Sequence, residues 1–119
     1  MKIAAIAKRL VALCRTAQWE AAHKSLYALN AVSIEPAATP NFPKVTKGRA
    51  KIIKKGQTFG AMVIKMHSFK VSAPVVAESA FALTMTMDVT MKGMGRMKMS
   101  ELCVYQVKAG KIVSEQFYF

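Results

Sequence analysis

The chain has 119 residues, carries 18 lysines and arginines against six acidic residues for a net charge of +12, and is 53% hydrophobic and 20% charged. A single domain of this length buries roughly two-thirds of its unfolded surface, and this composition lies far from the disordered class. Lys and Arg interrupt every apolar stretch before the ~18 residues of a membrane span, so no membrane partner is expected.

The segment MKIAAIAKRLVALCRTAQWE begins like a signal peptide, but only five apolar residues separate Lys2 from Lys8 and helical periodicity runs on through them. It reads as a mature helix of a cytoplasmic protein. Ile3, Ile6, Leu10, Leu13 and Cys14 recur at spacings of three and four and form its apolar face. Thr16 is placed to cap a second helix, in which Trp19, Ala22, His23, Leu26 and Tyr27 repeat the period. Ala31–Ile34, rich in β-branched residues between Asn30 and Pro36, reads as a short strand. The proline-rich stretch EPAATPNFPKVTKG reads as a loop closed by Gly48, and Arg49–Phe59 as a third helix with Lys51, Lys54 and Lys55 on a solvated face.

From Ile64 the period changes to two. IKMHSFKVSAPVVAE, AFALTMTMDVTMK, MKMSELCVYQVKAG and KIVSEQFYF read as four long antiparallel strands joined by turns. Helices followed by a strand meander predict an α+β domain, residues 1–119, with helices packed on a curved sheet and room for a cavity between them.

The basic residues are spread along the chain without interleaved aromatics, so the charge reads as a solvated surface and no nucleic-acid partner is expected. Cys14 and Cys103 have no zinc-site spacing and read as buried thiols. No nucleophile motif, metal cluster, phosphate loop or dinucleotide fingerprint appears, and no cofactor or metal is expected. Proton transfer remains. Glu35 sits behind Ile34 and before Pro36, where apolar groups crowd its carboxylate. Alternation places Glu101 in a row with Met99, Cys103, Tyr105 and Val107, and His67 with Phe69 and Val71, whereas Asp88 shares a polar face with Thr84, Thr86 and Thr90. Each has a bland reading as well: a loop-anchoring carboxylate for Glu35, a partner of a surface lysine for Glu101, and a satisfied boundary histidine for His67.

The order and spacing of WEAAHKSLYALNAVSIEP, KGRAKI and SELCVYQVKAGKIVSEQF resemble the nuclear transport factor 2-like superfamily and, within it, the SnoaL-like group. The resemblance implies a cone-shaped fold around a central apolar pocket, and a homodimer formed through the sheet. It is similar in fold to ketosteroid isomerases and polyketide cyclases, which implies Glu35 as general base and Glu101, within one residue, as the protonated acid. His67 is the alternative to Glu101 in that role. The first helix has Leu10 or Val11 where the isomerase carries its oxyanion-hole tyrosine. The expected pocket lining is Trp19, Tyr27, Phe59, Phe69, Cys103 and Tyr105, around a small hydrophobic ligand bearing a carbonyl. Two classes lead, an isomerase or cyclase using a Glu base and a non-enzymatic ligand-binding or dimerisation domain, with nucleic-acid binding the least favoured third.

Overall fold

A computed structural model describes all 119 residues. Helix α1 (Ile3–Arg15) buries Ile6, Ala7, Leu10, Val11, Leu13 and Cys14, the face its periodicity defines. It ends where Ala17 adopts φ +57° and the Gln18 N–H donates to the Leu13 carbonyl, which satisfies a carbonyl the helix would leave open. Thr16 therefore closes α1, its Oγ1 donating to Leu13 O at 3.2 Å, instead of capping the next helix as expected. Helix α2 (Trp19–Leu26) follows, and at Tyr27 the chain turns directly into strand β1 (Tyr27–Ile34), a strand twice the expected length. Arg49 Nη1 donates to the carbonyls of Lys24 and Tyr27 and holds this junction.

A three-residue strand, β2 (Val45–Lys47), lies inside the segment expected to be loop and pairs antiparallel with β1. At Gly48 (φ +99°), a conformation glycine adopts without strain, the N–H donates to Ala31 O and the chain enters helix α3 (Arg49–Met62). Strands β3 (Val63–Val71) and β4 (Val75–Val76) come from one expected strand, broken around Ala73 and Pro74. They are followed by β5 (Ala80–Met91), β6 (Gly95–Lys108) and β7 (Lys111–Tyr118).

The seven strands form one sheet in the order β2-β1-β7-β6-β5-β3, with β4 also on β5. All neighbours are antiparallel except β1 and β7, which run parallel, so the expectation of a purely antiparallel sheet is corrected at this one pair. The reason is topological: β7 returns to lie beside β1 only after α3 and five other strands, a crossover no hairpin can make. The inner face carries Phe81, Leu83, Met85, Cys103, Tyr105 and Ile112 against α1 and α2 in one core. Arg15 fastens the end of α1 to the end of β3 through Nη2 to Val71 O at 3.1 Å. No helix is long and apolar enough to cross a membrane.

Helix α3 is held differently from α1. Ile52 is its only buried residue, at 1% exposure. Its anchorage thus adds to that one buried side chain the half-buried Phe59, the polar contacts of Arg49 and Lys55 with β1, and the bond from Gln57 to Glu20 of α2. Ile52→Ala is expected to lower unfolding stability by about 2–4 kcal/mol, the usual cost of emptying a core isoleucine site, as read from the midpoint of urea denaturation at unchanged slope.

Candidate functional site

The registers of five strands place Thr46 of β2, Ser33 of β1, Glu115 of β7, Tyr105 of β6 and Phe81 of β5 in one continuous row. Residues in register share a face, so this row lies on the inner side of the sheet. Its aromatic end is core, with Phe81 and Tyr105 stacked at 4.9 Å. Its polar end is a chain of hydrogen bonds. Glu115, only 3% exposed, accepts from the Tyr27 hydroxyl and from Ser33 Oγ at 2.6 Å. Ser33 Oγ in turn accepts from Lys55 Nζ at 2.5 Å, and the same Nζ donates to Glu35 Oε1 at 3.0 Å. Lys55 stands 5.4 Å over the ring of Phe117, which shares the inner face with Glu115 opposite Cys103.

Glu35 and Glu101 are brought to this one interior. Burial and then the charge of Glu35 push the Glu101 carboxyl from 4.5 up to about 7; Glu115 adds to the shift, while Lys55 and a bond from Cys103 oppose it. Half of the six acidic residues of a strongly cationic chain thus converge inside it. One carboxyl is neutral near pH 6 and feels the charge of another that a half-buried ammonium pairs, and such a pair of environments separates an acid from a base. His23, set edge-on to Tyr27 at 4.8 Å, is pushed down by burial against the pull of Glu115 and faces α3 at Gly56, where an added Cβ would stand 3.7 Å from its ring.

The other expected residues fall in three places. Trp19 and Phe69 meet edge-to-face at 4.9 Å and wall the core on the α2–β3 side. Tyr27, Cys103 and Tyr105 are fully enclosed. Burial holds both phenols above their ordinary range, with Glu115 next for Tyr27 and Cys103 next for Tyr105. The Cys103 thiol is pushed up in the same way, and Cys14 up to about 12, so both free thiols are poor nucleophiles. Phe59 is half-buried on the α3 face that carries Ile52 and Lys55.

His67 departs from expectation. The register shifts between Met66 and Ser68, leaving His67 as the extra residue of a bulge. Its Nε2 pairs with Thr90 Oγ1 at 2.7 Å, on the face where Asp88 takes a two-pronged bond from Arg96 at 3.0 and 2.9 Å. It therefore belongs to the polar outer face and not with Phe69 and Val71. Lys55, placed on a solvated face by the sequence, is instead only 13% exposed. Glu115 and Ser33 were not expected at all. A cleft of about 640 Å³ beside Lys24, Lys47, Arg49 and Lys51, and one of about 390 Å³ beside Lys8 and Arg15, open on the outside and include none of the expected site residues. No three His, Cys, Asp or Glu side chains gather in a metal-holding group.

Residues 1–119 match the family model described as a SnoaL-like domain. A crystal structure of a candidate SnoaL-like polyketide cyclase from Mesorhizobium loti superposes with a TM-score of 0.92 at 33% identity, covering 100% of both chains. A Xanthomonas campestris protein of unknown function with a cystatin-like fold gives 0.82 at 16% identity, over 99% of this chain and 90% of that one. A Catenulispora acidiphila protein with a ketosteroid isomerase-like fold, solved in complex with trimethylamine, gives 0.74 at 16%, over 96% and 84%. These last two speak for the fold alone, and no curated protein matches the chain. Helices laid on a curved mixed sheet, a family model matched from end to end and one-third identity to a full-length structural relative agree: the chain belongs to the SnoaL-like family.

Proposed function

We propose that the chain is a proton-transfer enzyme of the isomerase or cyclase type, acting on a small hydrophobic ligand with a carbonyl group. The observation that carries this reading is the juxtaposition of Glu35, paired with Lys55 at 3.0 Å, and Glu101, whose carboxyl stays protonated to about pH 7 in part through the charge of Glu35. Glu35 takes a proton from the carbon next to the carbonyl. Glu101 donates a hydrogen bond to the carbonyl oxygen and stabilises the charge that forms there. No cofactor is needed, because the step moves a proton and an electron pair within one molecule. The competing class, a binding domain in which Glu35 only fastens the end of β1, predicts the same enclosed carboxylates but no turnover.

The reading includes a second copy of the chain on the outer face of the sheet. Leu102 and Tyr118, in register on β6 and β7, are 42% and 47% exposed there, which is a natural seed for a self-complementary contact.

Three outcomes are expected. In a thermal-shift screen of hydrophobic ketones, enones and carboxylates, ligands that raise the melting temperature are confined to carbonyl compounds; with such a compound, Glu35→Gln lowers turnover by about 10²–10⁴ while changing its dissociation constant little. A binder that never turns over, or full turnover by Glu35→Gln, would sink the enzyme reading. The second outcome concerns pH. The folded state holds the Glu101 proton more tightly than the unfolded state, so its contribution is complete below pH 4.5 and is lost as pH rises to about 7. Glu101→Gln should remove that decline and leave the protein roughly 3 kcal/mol more stable than wild type above pH 7. The difference between the two denaturation series isolates it from His23, whose lowered proton affinity acts with the opposite sign, present above pH 6.5 and lost below. Third, Leu102→Glu should convert a dimer to monomer in sedimentation velocity without loss of fold.

A further inference from the structure

Two features near Glu35 have no part in its role as general base. The first is the charge of Lys55. Its side chain is 13% exposed and its Nζ meets Ser33 Oγ at 2.5 Å and Glu35 Oε1 at 3.0 Å, so one of its three N–H donors has no protein acceptor. When Glu35 accepts a proton it ceases to neutralise this ammonium, and an unpaired ammonium with little access to water is costly. At that moment one negative charge has moved to the oxygen of the ligand. An oxygen within reach of the same Nζ restores the pair.

The second feature is Thr46 Oγ1, the one buried side-chain polar atom without a hydrogen-bond partner, on a residue 7% exposed. Thr46 stands opposite Ser33 in the β1–β2 ladder. Side chains in such pairs share a face with Cβ atoms about 5 Å apart, which sets this idle hydroxyl beside the bond between Lys55 and Ser33. Helix α1 offers only a weak thiol donor, Cys14, because its other buried positions are Ile6, Ala7, Leu10, Val11 and Leu13.

Resting on the general-base role of Glu35, we propose that Lys55 and Thr46 join Glu101 in the oxyanion subsite, with Lys55 exchanging the Glu35 carboxylate for the enolate oxygen of the ligand as the proton moves. The C–H bond next to the carbonyl breaks and its proton forms an O–H bond on Glu35. The electron pair makes a carbon–carbon double bond, and the carbonyl π pair becomes a lone pair on oxygen. Lys55 keeps its proton throughout. Reversal at the same or a conjugated carbon returns the proton from Glu35, with no oxidant or reductant. Ser33 and Glu115 are positioning residues: Ser33 accepts from Lys55 while donating to Glu115, which fixes where Nζ points.

The test uses 4-nitrophenol, whose coloured anion stands in for the enolate, with the full-length protein at about pH 6, where the free phenol is mostly neutral. In Glu35→Gln, whose amide mimics the protonated base, Lys55 lacks a counter-charge, and the bound phenol should be ionised at least about tenfold more than in solution. Wild type should not ionise it. Adding Lys55→Met to Glu35→Gln should abolish the anion signal in a protein that remains folded by circular dichroism, and adding Lys55→Arg should keep it. Adding Thr46→Val should weaken anion binding about three- to tenfold without lowering the melting temperature of the free protein, since it removes only an unpartnered hydroxyl. An anion signal that survives Lys55→Met, or a melting temperature that falls with Thr46→Val while anion binding is unchanged, overturns the proposal and leaves the general-base reading standing. If Glu35→Gln fails to bind the anion, the turnover test decides the scope: with turnover lost the oxyanion subsite alone is wrong, and with turnover retained the reading beneath it falls as well.

Discussion

The interior of this molecule is organised by a carboxylate that cannot reach water. Glu115, 3% exposed, would cost several kcal/mol as an unpaired ion, and each partner that relieves it comes from a different part of the chain. Tyr27 arrives where α2 turns into β1, Ser33 from the far end of β1, and Lys55, through Ser33, from α3. The network therefore ties a helix to two paired strands through side chains as well as through the sheet. It also explains why α3 stays in place with only Ile52 buried. Here the polar interactions that shape the site and those that hold the helix are the same ones.

The arrangement separates two carboxyls by environment. Glu35 has a cation at hydrogen-bond distance, whereas Glu101 has apolar neighbours, two like charges and only a more distant cation. Desolvation sets the sign of the shift at Glu101, which holds its proton up to about pH 7, whereas Glu35 has the Lys55 ammonium as its partner. The strongly positive net charge has little to do with this contrast, since nearly all of those cations are exposed; of the two half-buried ones, Arg49 and Lys55, it is Lys55 that meets a carboxylate.

Much of this was legible in the sequence, and the failures share a cause. Unbroken alternation along β6 placed Glu101, Cys103 and Tyr105 on the inner face, and the position of Glu35 before Pro36 marked it as enclosed. Alternation failed at His67, where a bulge adds a residue and turns the ring to the outer face. Glu115 was passed over because Ile112 and Val113 are both apolar and a second bulge, at Gln106/Val107, blurs which of them counts the register. Lys55 was hidden inside a basic run, although its spacing from Ile52 and Phe59 is that of one helical face. Strand β2 lies among prolines, and only the partner strand β1 makes it a strand. Local pattern reports which face a residue occupies, but it does not report what waits across the interior.

The parallel pairing of β1 with β7 bears on how the molecule comes into being. Strand β1 is made early and β7 after every other strand, yet β7 is the only strand that joins the β2–β1 pair to the rest of the sheet. Contacts between segments so far apart in sequence incur loop-closure entropy before they return any stability, which slows folding. During synthesis, β3, β5 and β6 can form a meander on their own, while Ser33, Lys55 and Tyr27 wait without the carboxylate that organises them. A nascent chain lacking β7 therefore lacks Glu115, and with it the acceptor that Tyr27 and Ser33 share.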